Sequence, residues 1–89
     1  MGEYGIAAFR SRQQVMRFEE ALHREGLAVR VISTPRDVAV GCGLSVRFEA
    51  QDVKKVQNVL ARMRPSNLIG VYLVSPGTAG RTKLVAVSR

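Results

Sequence analysis

The chain has 89 residues, 46% of them hydrophobic and 24% charged, which fits one small globular domain and argues against an intrinsically disordered chain. The formal net charge of +7 suggests an anionic partner: a nucleic acid, an anionic surface or an acidic protein. A single cysteine excludes an intramolecular disulfide, and one cysteine with one histidine argues against a metal site built from these two residue types.

The sequence shows no feature of secretion or membrane insertion. No basic segment precedes an apolar stretch near Met1, and no apolar run approaches the roughly 20 residues of a membrane-spanning helix. We therefore expect a cytoplasmic protein that does not insert into a membrane. No residue pattern indicates a metal or an organic cofactor, so we expect neither.

The first half of the chain has the pattern of a strand, a helix and a second strand. Tyr4 to Phe9 is a short apolar run, typical of a buried strand. Ser11 is a good N-cap for the helix that follows, and Gln14 would complete a reciprocal capping box with it. Gly26 is suited to end this helix, and Leu27 to Ile32 alternates as a strand with one apolar face.

The second half repeats this order. Leu44 to Phe48 is predicted to be a strand with its apolar residues inward and with Ser45 and Arg47 outward. A second helix is predicted from Ala50 to Arg64, and a fourth strand from Leu68 to Val74. The predicted apolar stripe of the second helix consists of Val53, Val56, Leu60 and Met63.

Two strand–helix–strand halves predict an α+β fold of the ferredoxin-like βαββαβ type. Its antiparallel sheet would have the strand order 4-1-3-2, with two helices on one face. We place this single domain at residues 1–74 and a C-terminal tail at residues 75–89. Within the tail, Thr82 to Val87 is a possible edge strand, which can form a hairpin with the fourth strand, pair with another copy of the protein, or stay mobile.

The loop between the second and third strands holds the only cysteine, Cys42. Gly41 and Gly43 on either side leave its sulfur unshielded, and the amides of a glycine-rich turn can form an anion-binding nest. Arg36 and Arg47 can supply positive charge that lowers the pKa of the thiol, and the thiolate is the reactive form. The alternative is that Cys42 is a small buried hydrophobic residue.

The start of the same loop, Thr34-Pro35-Arg36, has a structural and a functional interpretation. Pro35 ends the preceding strand because proline lacks a backbone donor. Arg36 can hold an anionic adduct or a carboxylate of a partner protein. The alternative is a structural turn with a solvated arginine.

A single thiol limits the chemistry that the chain can perform. A dithiol oxidoreductase requires a second cysteine, and a triad hydrolase requires a base. The sole histidine, His23, lies late in the first helix, where we expect it to be solvated. A carrier or sensor role remains, in which Cys42 accepts sulfur or selenium as a persulfide-type adduct and passes it on.

Two other functions stay open. The first is a basic module that binds RNA or an acidic protein, with Cys42 incidental. RNA is the less favoured partner here, because RNA-binding sheets need exposed aromatic residues and only one of Tyr4 and Phe9 can face outward. The second is a regulatory or oligomerising ferredoxin-like domain that pairs through its C-terminal strand.

Two segments resemble a family of small selenium/sulfur carrier-like proteins: Ser33-Thr34-Pro35-Arg36, and the run from Cys42-Gly43 to Glu49. The resemblance covers roughly Tyr4 to Val74, and its most specific part is the spacing of Pro35-Arg36 to Cys42-Gly43. It implies that Cys42 bears the chalcogen and that Pro35, Arg36 and Gly43 shape its loop. It also implies a protein donor, such as a cysteine desulfurase, and a protein acceptor.

Overall fold

One antiparallel sheet and two helices make up the part of the chain that the structure describes. The computed structural model describes residues 3–34, 43–76 and 82–87. The elements in chain order are β1 (Tyr4–Phe9), α1 (Arg12–Arg24), β2 (Arg30–Ser33), β3 (Leu44–Glu49), a 3-10 turn (Ala50–Asp52), α2 (Val53–Met63), β4 (Leu68–Pro76) and β5 (Thr82–Val87).

The strands lie in the order β2-β3-β1-β4-β5, and every neighbouring pair is antiparallel. The first four strands therefore have the predicted 4-1-3-2 order, and the predicted α+β fold is confirmed. β5 pairs with β4, which confirms the hairpin among the three alternatives for Thr82 to Val87. β1 lies at the centre, between β3 and β4.

The hydrophobic core lies between the helices and one face of the sheet. Alternation along β1 points Ala7 and Phe9 toward the helices, and the ring of Phe9 lies 5.4 Å from that of Phe18 on α1. Burying one large apolar side chain of this kind contributes about 1.5–3 kcal/mol. The fully or almost fully buried members of this cluster are Ala7, Phe9, Val15, Phe18, Leu22, Leu27, Val46, Phe48, Val56, Val59, Leu60 and Val71.

The start of α1 differs from the capping box that the sequence predicts. The side chain of Ser11 accepts a hydrogen bond from the backbone N–H of Gln14 at 3.3 Å, as expected of an N-cap. The side chain of Gln14 does not return this bond to Ser11. Its oxygen accepts from the backbone N–H of Asn67 at 2.9 Å, and its nitrogen donates to the hydroxyl of Ser66 at 3.2 Å. The prediction of a reciprocal capping box is therefore wrong, because the Gln14 side chain bonds to Ser66 and Asn67 in the turn before β4 instead.

The end of α1 explains why β2 begins three residues later than predicted. Gly26 has a φ of 83° and its N–H bonds to the carbonyl of His23, while the N–H of Leu27 bonds to the carbonyl of Leu22. These two bonds form a Schellman motif, in which the residue after the glycine returns to the helix and packs on it. Leu27 is accordingly buried in the core instead of starting the strand, which runs from Arg30 to Ser33.

The buried stripe of α2 also differs from its prediction, at Val59 and at Met63. The buried residues are Val56, Val59 and Leu60, whereas Met63 remains 39% exposed. Val59 lies three residues after Val56, so it belongs to the same helical stripe. Along α2, Leu60 is the last residue that belongs to the core cluster, and Met63 in the last turn lies outside it.

Candidate functional site

The structure describes three of the seven predicted site residues: Thr34, Gly43 and Arg47. The other four lie outside the described residues. These four are Pro35, Arg36, Gly41 and Cys42.

Thr34 and Gly43 form the base of the loop that carries Cys42. The backbone N–H of Thr34 donates to the carbonyl of Gly43 at 3.0 Å, one step beyond the last pair of the β2–β3 ladder, Ser33 and Leu44. A Cβ atom at position 43 would lie 3.2 Å from the hydroxyl oxygen of Thr34, which is tighter than ordinary packing. The absence of a side chain at Gly43 therefore lets the two sides of the loop approach closely, directly beside Cys42 in the chain.

A side-chain hydrogen bond between two buried hydroxyl groups also stabilises the base of the loop. The hydroxyl oxygens of Thr34 and Ser45 lie 2.7 Å apart, so one donates and the other accepts. Thr34 is 9% exposed and Ser45 is completely buried. An unpartnered buried hydroxyl costs about 1–3 kcal/mol, so the pairing is what permits both groups to be buried here.

The burial of Ser45 corrects a sequence-based expectation. Alternation along β3 does place it on the sheet face away from the helices, but it is not exposed there. Its neighbours across the sheet are Ala8 on β1 and Ile32 on β2. The signal that sequence reasoning missed is that hydroxyl residues flank the loop at both ends, at positions 34 and 45.

Arg47 lies apart from the loop base. Its guanidinium carbon is 4.0 Å from the centroid of the Tyr4 ring, which is a cation–π contact. Tyr4 begins β1, whereas Phe9 at the other end of β1 pairs with Leu44, beside the loop. The structure thus brings Thr34 and Gly43 together and places the charge of Arg47 toward the opposite end of β1.

Within the parts of the chain that the structure describes, no three His, Cys, Asp or Glu side chains converge as a metal site would require. In the same parts, neither helix has the length and apolar character needed to cross a membrane.

Comparison with known proteins identifies the family. A family model described as "Putative Se/S carrier protein-like" matches residues 4–67. The match begins with β1, includes both helices and the loop with Cys42, and stops just before β4. No match was found among curated proteins or solved structures. Since the family model covers more than half of the chain, the protein belongs to this family of Se/S carrier-like proteins.

Proposed function

We propose that the protein is a sulfur or selenium carrier that holds the chalcogen on Cys42. The donor is a protein that bears a persulfide, such as a cysteine desulfurase, and the acceptor is a second protein. The observation that carries the proposal is the family match, which spans the loop with the only cysteine of the chain. A carrier of this kind needs one nucleophilic thiolate and a surface on which its partners dock.

The transfer step requires no external oxidant or reductant. The thiolate of Cys42 attacks the outer, zero-valent sulfur of the donor's persulfide, and a new S–S bond forms as the old one breaks. The donor leaves as a thiolate, and Cys42 becomes a persulfide. Delivery to the acceptor reverses these roles. Selenium is transferred by the same step, in which a zero-valent selenium atom takes the place of the transferred sulfur.

The geometry of the loop base supports this function. Cys42 is bonded to Gly43, whose carbonyl accepts from Thr34, and Thr34 is fixed in turn by the hydroxyl of Ser45. A sulfur presented next to such an anchored point has fewer backbone conformations to lose when a partner docks. Glycine at position 43 also leaves one side of the cysteine without a neighbouring side chain.

The remaining loop residues take the roles that the sequence suggests. Pro35 restricts the exit from β2, and Arg36 supplies positive charge for the thiolate or for an anionic adduct. Gly41 gives the partner's backbone access to the sulfur from the other side. Arg47 contributes to the overall positive charge of the chain but is engaged with Tyr4.

Intact mass spectrometry under non-reducing conditions tests the proposal. The protein is incubated with a cysteine desulfurase and cysteine, and we expect it to gain the mass of one sulfur atom. Substituting selenocysteine for cysteine as the substrate shows whether selenium is accepted as well. The gain is expected to disappear on treatment with a thiol reductant and in the variant Cys42→Ser.

A relocated cysteine provides the matched control. Asn58 is exposed on α2, so Cys42→Ser combined with Asn58→Cys keeps one accessible thiol in the chain but moves it away from the loop. We expect this variant to gain little sulfur. Equal gains in the native and relocated proteins would show that any exposed thiol suffices, and an unmodified native protein would refute the carrier function.

A further inference from the structure

We propose that the sheet face away from the helices binds single-stranded RNA. This inference does not depend on Cys42. We call the strand residues that alternate away from the core the helix-free face. These are Tyr4, Ile6 and Ala8 on β1, Arg30 and Ile32 on β2, Ser45, Arg47 and Glu49 on β3, and Gly70, Tyr72 and Val74 on β4. Ile6, Ala8, Ser45, Gly70 and Val74 are buried, so the accessible positions are Tyr4, Arg30, Ile32, Arg47, Glu49 and Tyr72.

Both tyrosines of the chain lie on this face, on neighbouring strands. Tyr4 pairs in register with Val74, two residues from Tyr72, so the two tyrosines are diagonal neighbours with Cα atoms about 7–8 Å apart. Each side chain is half-buried. The sequence predicts only that one of Tyr4 and Phe9 faces outward. The structure assigns Phe9 to the core and adds Tyr72 from β4 to the helix-free face.

The ring of Tyr72 lies flat along its strand. A Cβ atom at Gly70 would be 2.9 Å from the hydroxyl oxygen of Tyr72 and 3.1 Å from two of its ring carbons, so the ring occupies the space above Gly70. A tyrosine laid on a sheet presents one π-face outward. Every base has a π-face of its own, and bases of single strands stack on such aromatic surfaces.

The arginines of this face form no ion pair with the carboxylates that the structure describes. Arg30 and Arg47 are directly opposite each other on β2 and β3, an arrangement that is unfavourable without an anion between or above them. Among the described residues, neither forms an ion pair with a carboxylate. The helix arginines Arg24 and Arg62 do form such pairs, with Glu20 and Glu25.

The two arginines also border a groove that continues past the edge of the sheet. Its lining includes His23 at the end of α1, Val29 before β2 and Glu49 at the end of β3, beside Arg30 and Arg47. Such a groove gives the phosphates of a strand a path beside the rings, while Arg47, already stacked on Tyr4, can stack on a base as well. The cations on β2 and β3 thus lie beside the rings on β1 and β4, so one strand of RNA can place phosphates on the first group and bases on the second.

The mixture of groups favours RNA over other anionic partners. An acidic peptide would use the arginines and leave the tyrosine faces unused, and a duplex keeps its bases stacked inside. Glu49 is the one acidic residue among the positions of the helix-free face, and it lies in register with Tyr4. A carboxylate repels phosphate but accepts a hydrogen bond from a ribose 2′-hydroxyl, which DNA lacks.

Fluorescence anisotropy with a labelled, unstructured RNA of 12 nucleotides tests this binding. The informative variant is Arg30→Gln combined with Arg47→Gln. Its matched control is Lys54→Gln combined with Lys55→Gln, which removes the same charge from exposed positions on α2. We expect the arginine variant to bind about tenfold or more weakly and the control to change by less than about threefold. An equal loss of RNA affinity in both variants would show that the binding is non-specific electrostatic attraction, and would overturn the proposal.

NMR of the native protein provides a measurement that needs no substitution. The chain has two tyrosines and no tryptophan, so a tyrosine-labelled sample reports on this face alone. We expect the ring resonances of both Tyr4 and Tyr72 to shift on addition of the RNA. Unperturbed rings would overturn the proposal whatever the variants show.

Competition experiments identify the class of partner. We expect the unlabelled RNA to displace the probe, and expect DNA of the same sequence, duplex RNA and a glutamate-rich peptide to compete less well. Competition by the peptide as strong as that by the RNA would assign the face to an acidic protein, and equal competition by the DNA would refute the preference for RNA. Because none of these readouts involves Cys42, the outcome is independent of the sulfur-transfer assay.

Discussion

The hydroxyl groups of Thr34 and Ser45 bond to each other across the base of the cysteine loop, and both are hidden from solvent. Removing one partner, by Thr34→Val or Ser45→Ala, leaves the other hydroxyl buried without a partner. We expect each single change to lower the free energy of unfolding by about 1–3 kcal/mol.

The double variant should cost clearly less than the sum of the two single changes, since no unpartnered hydroxyl remains. Urea denaturation of all four proteins measures this coupling. Ser33→Ala, at an exposed position on β2, is the control and should change the stability by no more than about 0.5 kcal/mol. Strict additivity of the two single changes would show that the hydroxyls are not energetically coupled.

Gly5 is required by the position of the Phe48 ring in the core. A Cβ atom at Gly5 would overlap that ring, so Gly5→Ala forces Phe48 out of its packed position. We expect a loss of about 1–3 kcal/mol, the usual cost of overpacking a core. Thermal unfolding followed by circular dichroism measures it.

Phe48→Leu in the background of Gly5→Ala tests the cause. The smaller side chain makes room for the new methyl group, so it should cost less in this background than in the native protein. The same cost in both backgrounds would contradict the assignment of the clash to Phe48.

Val59 and Met63 distinguish the observed helix stripe from the one that the sequence predicts. Val59 is 2% exposed and Met63 is 39% exposed. We expect Val59→Ala to lower the free energy of unfolding by about 2 kcal/mol and Met63→Ala by less than about 0.5 kcal/mol. Urea denaturation compares the two. A larger effect at Met63 would restore the stripe expected from the sequence.

Arg64 ends α2 in the left-handed conformation, with a φ of 48°, which costs a residue with a Cβ about 1–2 kcal/mol. Glycine adopts this conformation freely, although it also gains entropy in the unfolded chain. We expect Arg64→Gly to stabilise the protein by about 0.5–1 kcal/mol. Ala61→Gly, inside the same helix and exposed, should destabilise it by about 1 kcal/mol. A loss of stability in both variants would show that the charge of Arg64 matters more than its backbone.

Local sequence patterns predicted most of the fold. The apolar run of β1 has the boundaries that its sequence predicts, and so has β5. Ser11 and Gly26 mark the two ends of α1 because capping depends on a few neighbouring residues. The strand order followed from the two repeated halves, because few sheets can be built from that order of elements.

Long-range contacts account for the errors. The side chain of Gln14 bonds to a turn far away in the sequence, so a local capping rule could not anticipate it. Ser45 alternates like an exposed residue, but its hydroxyl is paired with that of Thr34, eleven residues away, which permits its burial. The pairing of Tyr4 with Arg47 depends on the register between β1 and β3, which no single segment specifies.

The central position of β1 has a consequence for the order in which the protein folds. Both neighbours of β1 come much later in the chain, and β4, which completes its pairing, follows both helices. Such non-local pairing slows folding, because a long loop must be closed before the contacts that reward it can form. The pairing of β1 is therefore complete only after β4 has joined the sheet. A fragment cut at residue 67, where the family match ends, would leave one edge of β1 open to self-association.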